Sequence, residues 1–208
     1  MWQENTAGDM GEVILKRAIR NFLKSVFVAV SRLVIPLFYK RKYLSGKWFE
    51  ESAAGWLWAW KGIWWQKIHK FNRNIPWPVS PQIRVSSAVN IAFHPDDLNN
   101  FQGFGNYFQN FSAKIVMGRG TYIAPNVGII TANHDPLDLD KHLPGKDVVL
   151  GEGCWIGMNS VILPGVVLGP HTIVGAGSVV TRSFVEGNCI IAGNPARVIR
   201  NLGDNIEP

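Results

Sequence analysis

Between Leu150 and Val180, aliphatic residues return at every sixth position: Leu150, Ile156, Ile162, Leu168, Val174 and Val180. Glycine follows four of them, at Gly151, Gly157, Gly169 and Gly175, and a small or β-branched residue stands four places on, at Cys154, Ser160, Val166, Thr172 and Ser178. A helix repeats at 3.6 residues and a strand at 2, so neither generates a period of six. A chain that turns a corner every six residues does. Each short strand then points its aliphatic residue inward, Gly and small residues fit the corners, and three strands close a triangular turn. Stacked turns bury a column of aliphatics. The predicted fold class is mainly β, a parallel β-helix.

The same register reaches back to Met117, Ile123 and Ile129, with Thr121 and Val127 in the small positions. Ile129 and Leu150 lie 21 residues apart, which is not a multiple of six and predicts an insertion. Pro136, Pro144 and Gly145 place it as a loop over residues 135–148. Ile83 and Val89 are expected to begin the first coil, and residues 94–110 to break it as a loop. Glu186 stands where the next aliphatic is due, so the repeat is expected to end there. Residues 191–200 then leave the prism, and the chain closes in a short C-terminal helix.

Ahead of the β-helix the pattern is helical. Residues 1–11 read as a polar, mobile lead. From Glu12 to Tyr39, Leu15, Ala18, Ile19, Phe22, Val26, Ala29, Leu33 and Leu37 fall on one broad face, and Lys16, Arg17, Arg20 and Lys24 gather on the other. Pro36 should end or kink this helix. Trp56, Trp60 and Trp64, spaced by four, share a second helical face. Three prolines within residues 72–82 predict an extended segment. The chain thus divides into a basic, Trp-rich helical region (1–75), a Pro-rich linker (76–82), a β-helix domain (83–200) and a tail (201–208).

Charge sharpens that division. Residues 1–84 hold 14 Lys and Arg against 5 Asp and Glu, whereas residues 85–208 hold 7 against 10, and eight of the nine Trp precede residue 78. A basic amphipathic helix beside Trp and Lys suits the headgroup zone of a membrane. Residues 12–70 are therefore expected to make peripheral contact with the cytoplasmic face of the cell membrane. Packing of the same apolar face on the β-helix or on a sister subunit is the competing explanation. Base stacking by Trp is a weaker one, because no nucleic-acid-binding motif accompanies it. Lys24, Arg32 and Lys40 keep every stretch below the length of a membrane span, and the run Val26–Val30 does not read as a signal peptide. Two cysteines, Cys154 and Cys189, form neither a disulfide framework nor a metal motif, which suits a reducing compartment.

Four segments add chemistry: IAPNVGIITANHDP (123–136), CWIG (154–157), GAGSVVT (175–181) and AGNPARVIR (192–200). With the pattern [LIV]-G-x-x-[STAVC]-x, they resemble the sugar and polysaccharide O-acetyltransferases of the hexapeptide-repeat superfamily. The resemblance spans about residues 105–200. It implies a left-handed β-helix. The general rule for parallel crossovers gives the opposite hand, so handedness rests on the resemblance alone. It also implies acetyl-CoA as acyl donor, a glycan or small-molecule hydroxyl as acceptor, and a homotrimer with its site between two subunits.

On the family's pattern His134 matches the catalytic base. The chemistry agrees, because an alcohol is a poor nucleophile at neutral pH and a free imidazole titrates near pH ~6.5. The backbone N–H of Met158, just after the WIG turn, matches the oxyanion donor, a contribution commonly worth about 2.7–4 kcal/mol. Relatives often carry Ser or Ala at that position. Trp155 matches a Trp lining the acyl and acceptor site. Met158, Ala176, Thr181, Arg182, Arg197 and Arg200 match the positions that bind coenzyme A, whose phosphates call for arginine. Gln109 or Asn110 is the candidate for holding the acceptor. The β-helical carbonic anhydrases bind zinc through histidines five apart. No two of His69, His94, His134, His142 and His171 have that spacing, so no metal is expected. A soluble acetyltransferase of a free sugar, serine or antibiotic is the alternative enzyme. A non-catalytic β-helix scaffold at a membrane, without coenzyme A binding, is the alternative outside enzymes.

Overall fold

The computed structural model describes residues 6–203. Residues 84–193 wind through five stacked turns. Turn one holds β1 (Arg84–Val85) and β2 (Ile91–Ala92), with a 3-10 helix, Pro95–Phe101, on its third side. Turn two holds β3 (Tyr107–Gln109), β4 (Ile115–Met117) and β5 (Tyr122–Ile123). Turn three opens with β6 (Gly128–Ile130), projects the hairpin β7 (His134–Asp135) and β8 (Asp138–His142), and resumes with β9 (Val148–Leu150) and β10 (Trp155–Ile156). Turn four is β11 (Val161–Ile162), β12 (Val167–Leu168) and β13 (Ile173–Val174). Turn five is β14 (Val179–Val180), a bridge from Phe184 to Leu168, and β15 (Cys189–Gly193), after which β16 (Ala196–Asn201) folds back.

Three sheets form the faces of the prism, parallel except where β16 joins β15. The first face is β1-β3-β6-β11-β14, the second β2-β4-β9-β12, and the third β5-β10-β13-β15-β16. Residues that pair in register share an orientation. The row Val85, Phe108, Ile129, Ile162 and Val180 therefore points inward along the whole first face, and all five side chains are buried. The hexapeptide glycines are required by close approach. A Cβ on Gly157 would lie 2.6 Å from the backbone of Ala176 in the next turn, and one on Gly151 equally close to Gly169. The inward small residues tie the corners: Ser160 Oγ donates to the Gly175 carbonyl at 3.0 Å and Thr172 Oγ to that of Gly169 at 2.8 Å.

Several expectations are corrected at the ends of the repeat. The first coil is set by Val85 and Ile91, not Ile83 and Val89; Val89 is exposed. Within residues 94–110 the chain forms the 3-10 helix and β3, so the coil continues through it. The repeat also runs past Glu186. Ile191 pairs with Val174, 17 residues back, because this turn is one residue shorter than three hexapeptides. The expected C-terminal helix is instead β16, antiparallel to β15. Strand edges leave N–H and C=O groups unpaired, and folding back onto β15 satisfies them where a helix would not. Residues 204–208 of the expected tail lie outside the described residues.

At the front, α1 (Thr6–Val34) starts inside the segment read as a mobile lead. It ends before Pro36, which sits in a 3-10 turn, Ile35–Leu37. Then follow α2 (Lys47–Glu50) and α3 (Ala54–Gly62), which runs on as a π-helical segment, Ile63–Ile68. Trp56 turns into the core while Trp60 and Trp64 stay at the surface, so the three do not act as one face. Residues 76–82 form neither helix nor strand, yet Trp77 and Val79 are buried. Trp77 packs with Tyr43, Phe93 and Phe101, and Phe101 packs on Phe108, so an aromatic cluster caps the first turns of the β-helix. Two polar knots fasten this cap. The Gln66 carboxamide accepts from Tyr39 Oη and from the Val79 N–H, and donates to the Trp77 carbonyl. Asp96 accepts from the Lys47 N–H at 3.0 Å and from Arg119 at 2.7 Å.

Candidate active site

The hairpin β7–β8 leaves the prism at the edge between the first and second faces. Its turn is set by Asp135, whose carboxylate accepts the Leu137 N–H at 2.9 Å and so favours the local bend. Register places His134 opposite His142, and their rings lie 4.2 Å apart. His142 also meets the edge of Phe111 at 5.3 Å. His134 Nδ1 lies 2.7 Å from the Leu139 carbonyl. A carbonyl only accepts, so in this contact Nδ1 carries the proton and the neutral ring keeps its lone pair on Nε2. The side chain is exposed. A group so held can accept a proton from a bound hydroxyl. His142 carried no signal in a hexapeptide count. The Asp135–Pro136 turn, which sets the two histidines across a hairpin, was the feature that could have found it.

The side chains of Gln109 and Asn110, the candidates for holding the acceptor, are engaged by the fold. Gln109 Oε1 accepts the N–H groups of Thr131 and Ala132, and its Nε2 donates to the Ala132 carbonyl. Asn110 is buried and bonds to the backbone of Ser86, Ser87 and Asn90. Gln109 thereby supports the root of the β7–β8 hairpin from the turn below.

A second group of residues gathers on the third face and its edge with the first. Tyr122, Trp155, Ile173, Ile190 and Arg200 pair in register as one outward row. Beyond it, at the corner, the Gly157 N–H is paired with the Val174 carbonyl, but the Met158 N–H has no partner among the described residues. The Ala176 N–H, one turn on, is likewise without one. These two amides therefore stand free along one edge, about 4.8 Å apart by the spacing of strands. Their free hydrogens suit the amide and carbonyl groups of a pantetheine arm and a developing oxyanion.

Arg197 and Arg200 are three residues apart, and in a regular strand they would point to opposite faces. The register shift at Ile190/Ile191 sets Arg197 opposite Ala192 and Arg200 opposite Ile190, which brings both guanidinium groups to the outer side. Neither forms an ion pair among the described residues. Two free arginines beside two free amides fit a phosphate-bearing acyl donor. Thr181 and Arg182 lie elsewhere, on the edge that carries the His134 hairpin but two turns further on. Arg182 rests 5.2 Å from the Phe184 ring.

The two groups are separated by the whole first face. A side of about six extended residues holds them on the order of 15 Å apart within one chain. Among the described residues no three His, Cys, Asp or Glu side chains gather as metal ligands.

Comparison with known proteins gives this arrangement a context. The bacterial transferase hexapeptide family (six repeats) matches residues 147–182. A Saccharomyces cerevisiae protein, YJL218W, provisionally named an acetyltransferase, is 40% identical over 156 residues, with 65% of this chain and 79% of that one covered. The galactoside O-acetyltransferase of Lactococcus lactis is 33% identical over 159 residues, covering 66% of this chain and 76% of the relative. A solved hexapeptide-repeat acetyltransferase of Vibrio cholerae, complexed with acetyl coenzyme A, is 31% identical with a TM-score of 0.45, covering 49% of this chain and 56% of its own. The periodic core, the paired glycines and the sustained identity across both relatives lead to one assignment: this chain belongs to the hexapeptide-repeat acetyltransferases.

Proposed function

We propose that the protein transfers the acetyl group of acetyl-CoA directly to a hydroxyl of a glycan sugar, with His134 as general base. The observation that carries this reading is the 2.7 Å contact of His134 Nδ1 with the Leu139 carbonyl, which leaves Nε2 as the proton acceptor. In this scheme His134 takes the acceptor's proton while the hydroxyl oxygen attacks the thioester carbonyl. The free Met158 N–H donates to the oxygen that gains charge. As the C–S bond breaks, His134 returns the proton to the departing thiolate, so the enzyme ends as it began. His142 positions the catalytic ring through their contact, and the Trp155 ring, half exposed on the third face, lines the acyl site. Arg197 and Arg200 hold the donor's phosphates, with Thr181 and Arg182 as further donor contacts from the other edge.

One copy alone keeps His134 and Met158 on different edges. The site is therefore proposed to form where the hairpin edge of one subunit meets the third face of another, in a homotrimer of left-handed β-helices. Named relatives act on sugar hydroxyls, as in the galactoside O-acetyltransferases of Lactococcus lactis and Escherichia coli, which favours a glycan acceptor.

The test is thioester turnover with a panel of sugar acceptors. His134→Ala should lower kcat by about 10²–10⁴-fold with unchanged coenzyme A affinity. Arg197→Ala/Arg200→Ala should weaken coenzyme A binding instead. Full turnover in His134→Ala would remove the base assignment. Absence of coenzyme A binding by the folded wild type would remove the donor assignment.

A further inference from the structure

Helix α1 carries an apolar stripe that the protein leaves uncovered. Leu15, Ile19, Phe22, Leu23, Val26, Val30 and Leu33 fall within about 100° of one another around the helix axis at 100° per residue, and every one is exposed, Phe22 at 68% and Leu33 at 78%. The rest of the molecule does not sit on that side. The residues through which α1 meets the body are Ser31, which accepts the Trp60 indole N–H at 2.9 Å, and the partly buried Phe27 and Val28. On the same wheel they occupy the opposite half of the helix. The stripe thus runs from Leu15 to Leu33 on the side turned away from those contacts, and contiguous exposure on this scale marks an interaction surface.

Charge says what kind. Lys16 and Arg20 flank one border of the stripe, Arg17 and Lys24 stand behind it, and Glu12 is paired with Lys16. Lys40, Arg41 and Lys42 follow just after the 3-10 turn that ends the helix. A second exposed apolar row, Leu57, Trp60, Trp64 and Ile68, lies on α3 and its π-helical extension. Indoles and lysines beside exposed aliphatics are the composition of a membrane interface, where each group finds its own depth. No helix among the described residues is long and apolar enough to cross a bilayer. The remaining geometry is a helix lying on one.

We infer that α1 docks in the plane of an anionic lipid bilayer, with its apolar stripe in the acyl boundary, its lysines and arginines at the headgroups, and the β-helix held on the aqueous side. The body contacts α1 on the side opposite the stripe, so docking requires no rearrangement of the fold. A bilayer also fits better than a second copy of the chain, because identical α1 helices would bring their flanking cations together. This inference is separate from the proposed reaction, since vesicle binding and thioester turnover are read independently.

The experiment uses full-length protein floated with vesicles of phosphatidylcholine alone or with phosphatidylglycerol, while light scattering reports its mass. Wild type should float with the anionic vesicles at low salt and be released as salt rises. Ile19→Glu/Phe22→Glu/Val26→Glu should abolish flotation while mass and turnover on a soluble acceptor stay unchanged, because these side chains are exposed and belong to none of the contacts that join α1 to the body. Arg17→Glu/Arg20→Glu/Lys24→Glu should lower anionic partitioning at least about hundredfold, near the worth of three basic residues at such a surface. Two results would overturn the inference. One is wild type remaining in the supernatant with anionic vesicles. The other is a stripe variant that still floats as wild type does; in the first case, loss of subunits by the stripe variant would make a second copy the occupant.

Discussion

The β-helix and α1 use the same kinds of residue to opposite ends. Ile162 stands at zero exposure in a column of its own kind, while Leu33 stands almost free in solvent. Both belong to clean periodic patterns, one of six and one of 3.6. The difference lies in what each element can do with its apolar side. A triangular coil closes around its own aliphatics, and each added turn covers the last. A single helix cannot close on itself and needs a partner for its stripe. Periodicity therefore says which way a side chain points, but only in the self-closing element does it also say what covers it.

Stability measurements can break or sharpen this contrast. The largest effect is expected in the aromatic cap on the first turns of the β-helix. Trp77→Ala removes a buried ring from the aromatic cap and should cost about 3–5 kcal/mol in denaturant unfolding. Ile162→Ala, inside the coil, should cost about 2–5 kcal/mol by the same measurement, with the melt remaining cooperative. A smaller effect is expected at Asp96. The Lys47 N–H, together with the Arg119 guanidinium and His94, holds its carboxyl below the ordinary value against the burial that would raise it. A depressed carboxyl contributes stability above the unfolded value, near pH ~4, and loses it as pH falls through the folded one. Asp96→Ala should thus cost about 1–3 kcal/mol at neutral pH, and the gap to wild type should narrow in acid. The smallest effect is expected on the stripe, where Leu33→Ser should change stability by less than about 0.5 kcal/mol. A cost of several kcal/mol there in a lipid-free sample would mean that α1 has a protein partner after all.

Much of the β-helix was legible because its code is local. Gly157 must be Gly since the backbone of the next turn passes 2.6 Å from where its Cβ would be, and that demand repeats every turn. The 21-residue gap after Ile129 located the hairpin that holds His134 for the same reason. Legibility failed where the repeat lost its count. Val85 and Ile91 were displaced by two residues, and the last turn was missed because it is one residue short. The site was legible only in part. His134 stood out by its motif, whereas Gln109 and Asn110 have ligand-like side chains whose duty is to bond backbone from neighbouring turns. Those partners lie 20 to 24 residues away in the chain, so local sequence could not show the side chains already engaged.

By itself, then, the order of residues determined the coil, its corners, the place of its insertion and the two-sidedness of α1, because each follows from sterics or from the spacing of hydrophobic residues along the chain. Tertiary structure decided the rest. It set His142 against His134 by hairpin register and turned Arg197 and Arg200 to one side through a bulge. It left the Met158 N–H at a corner without a partner among the described residues, and it aimed the α1 stripe away from the body. Each of these depends on which strand or helix lies alongside, and that neighbour is chosen by packing across the whole chain.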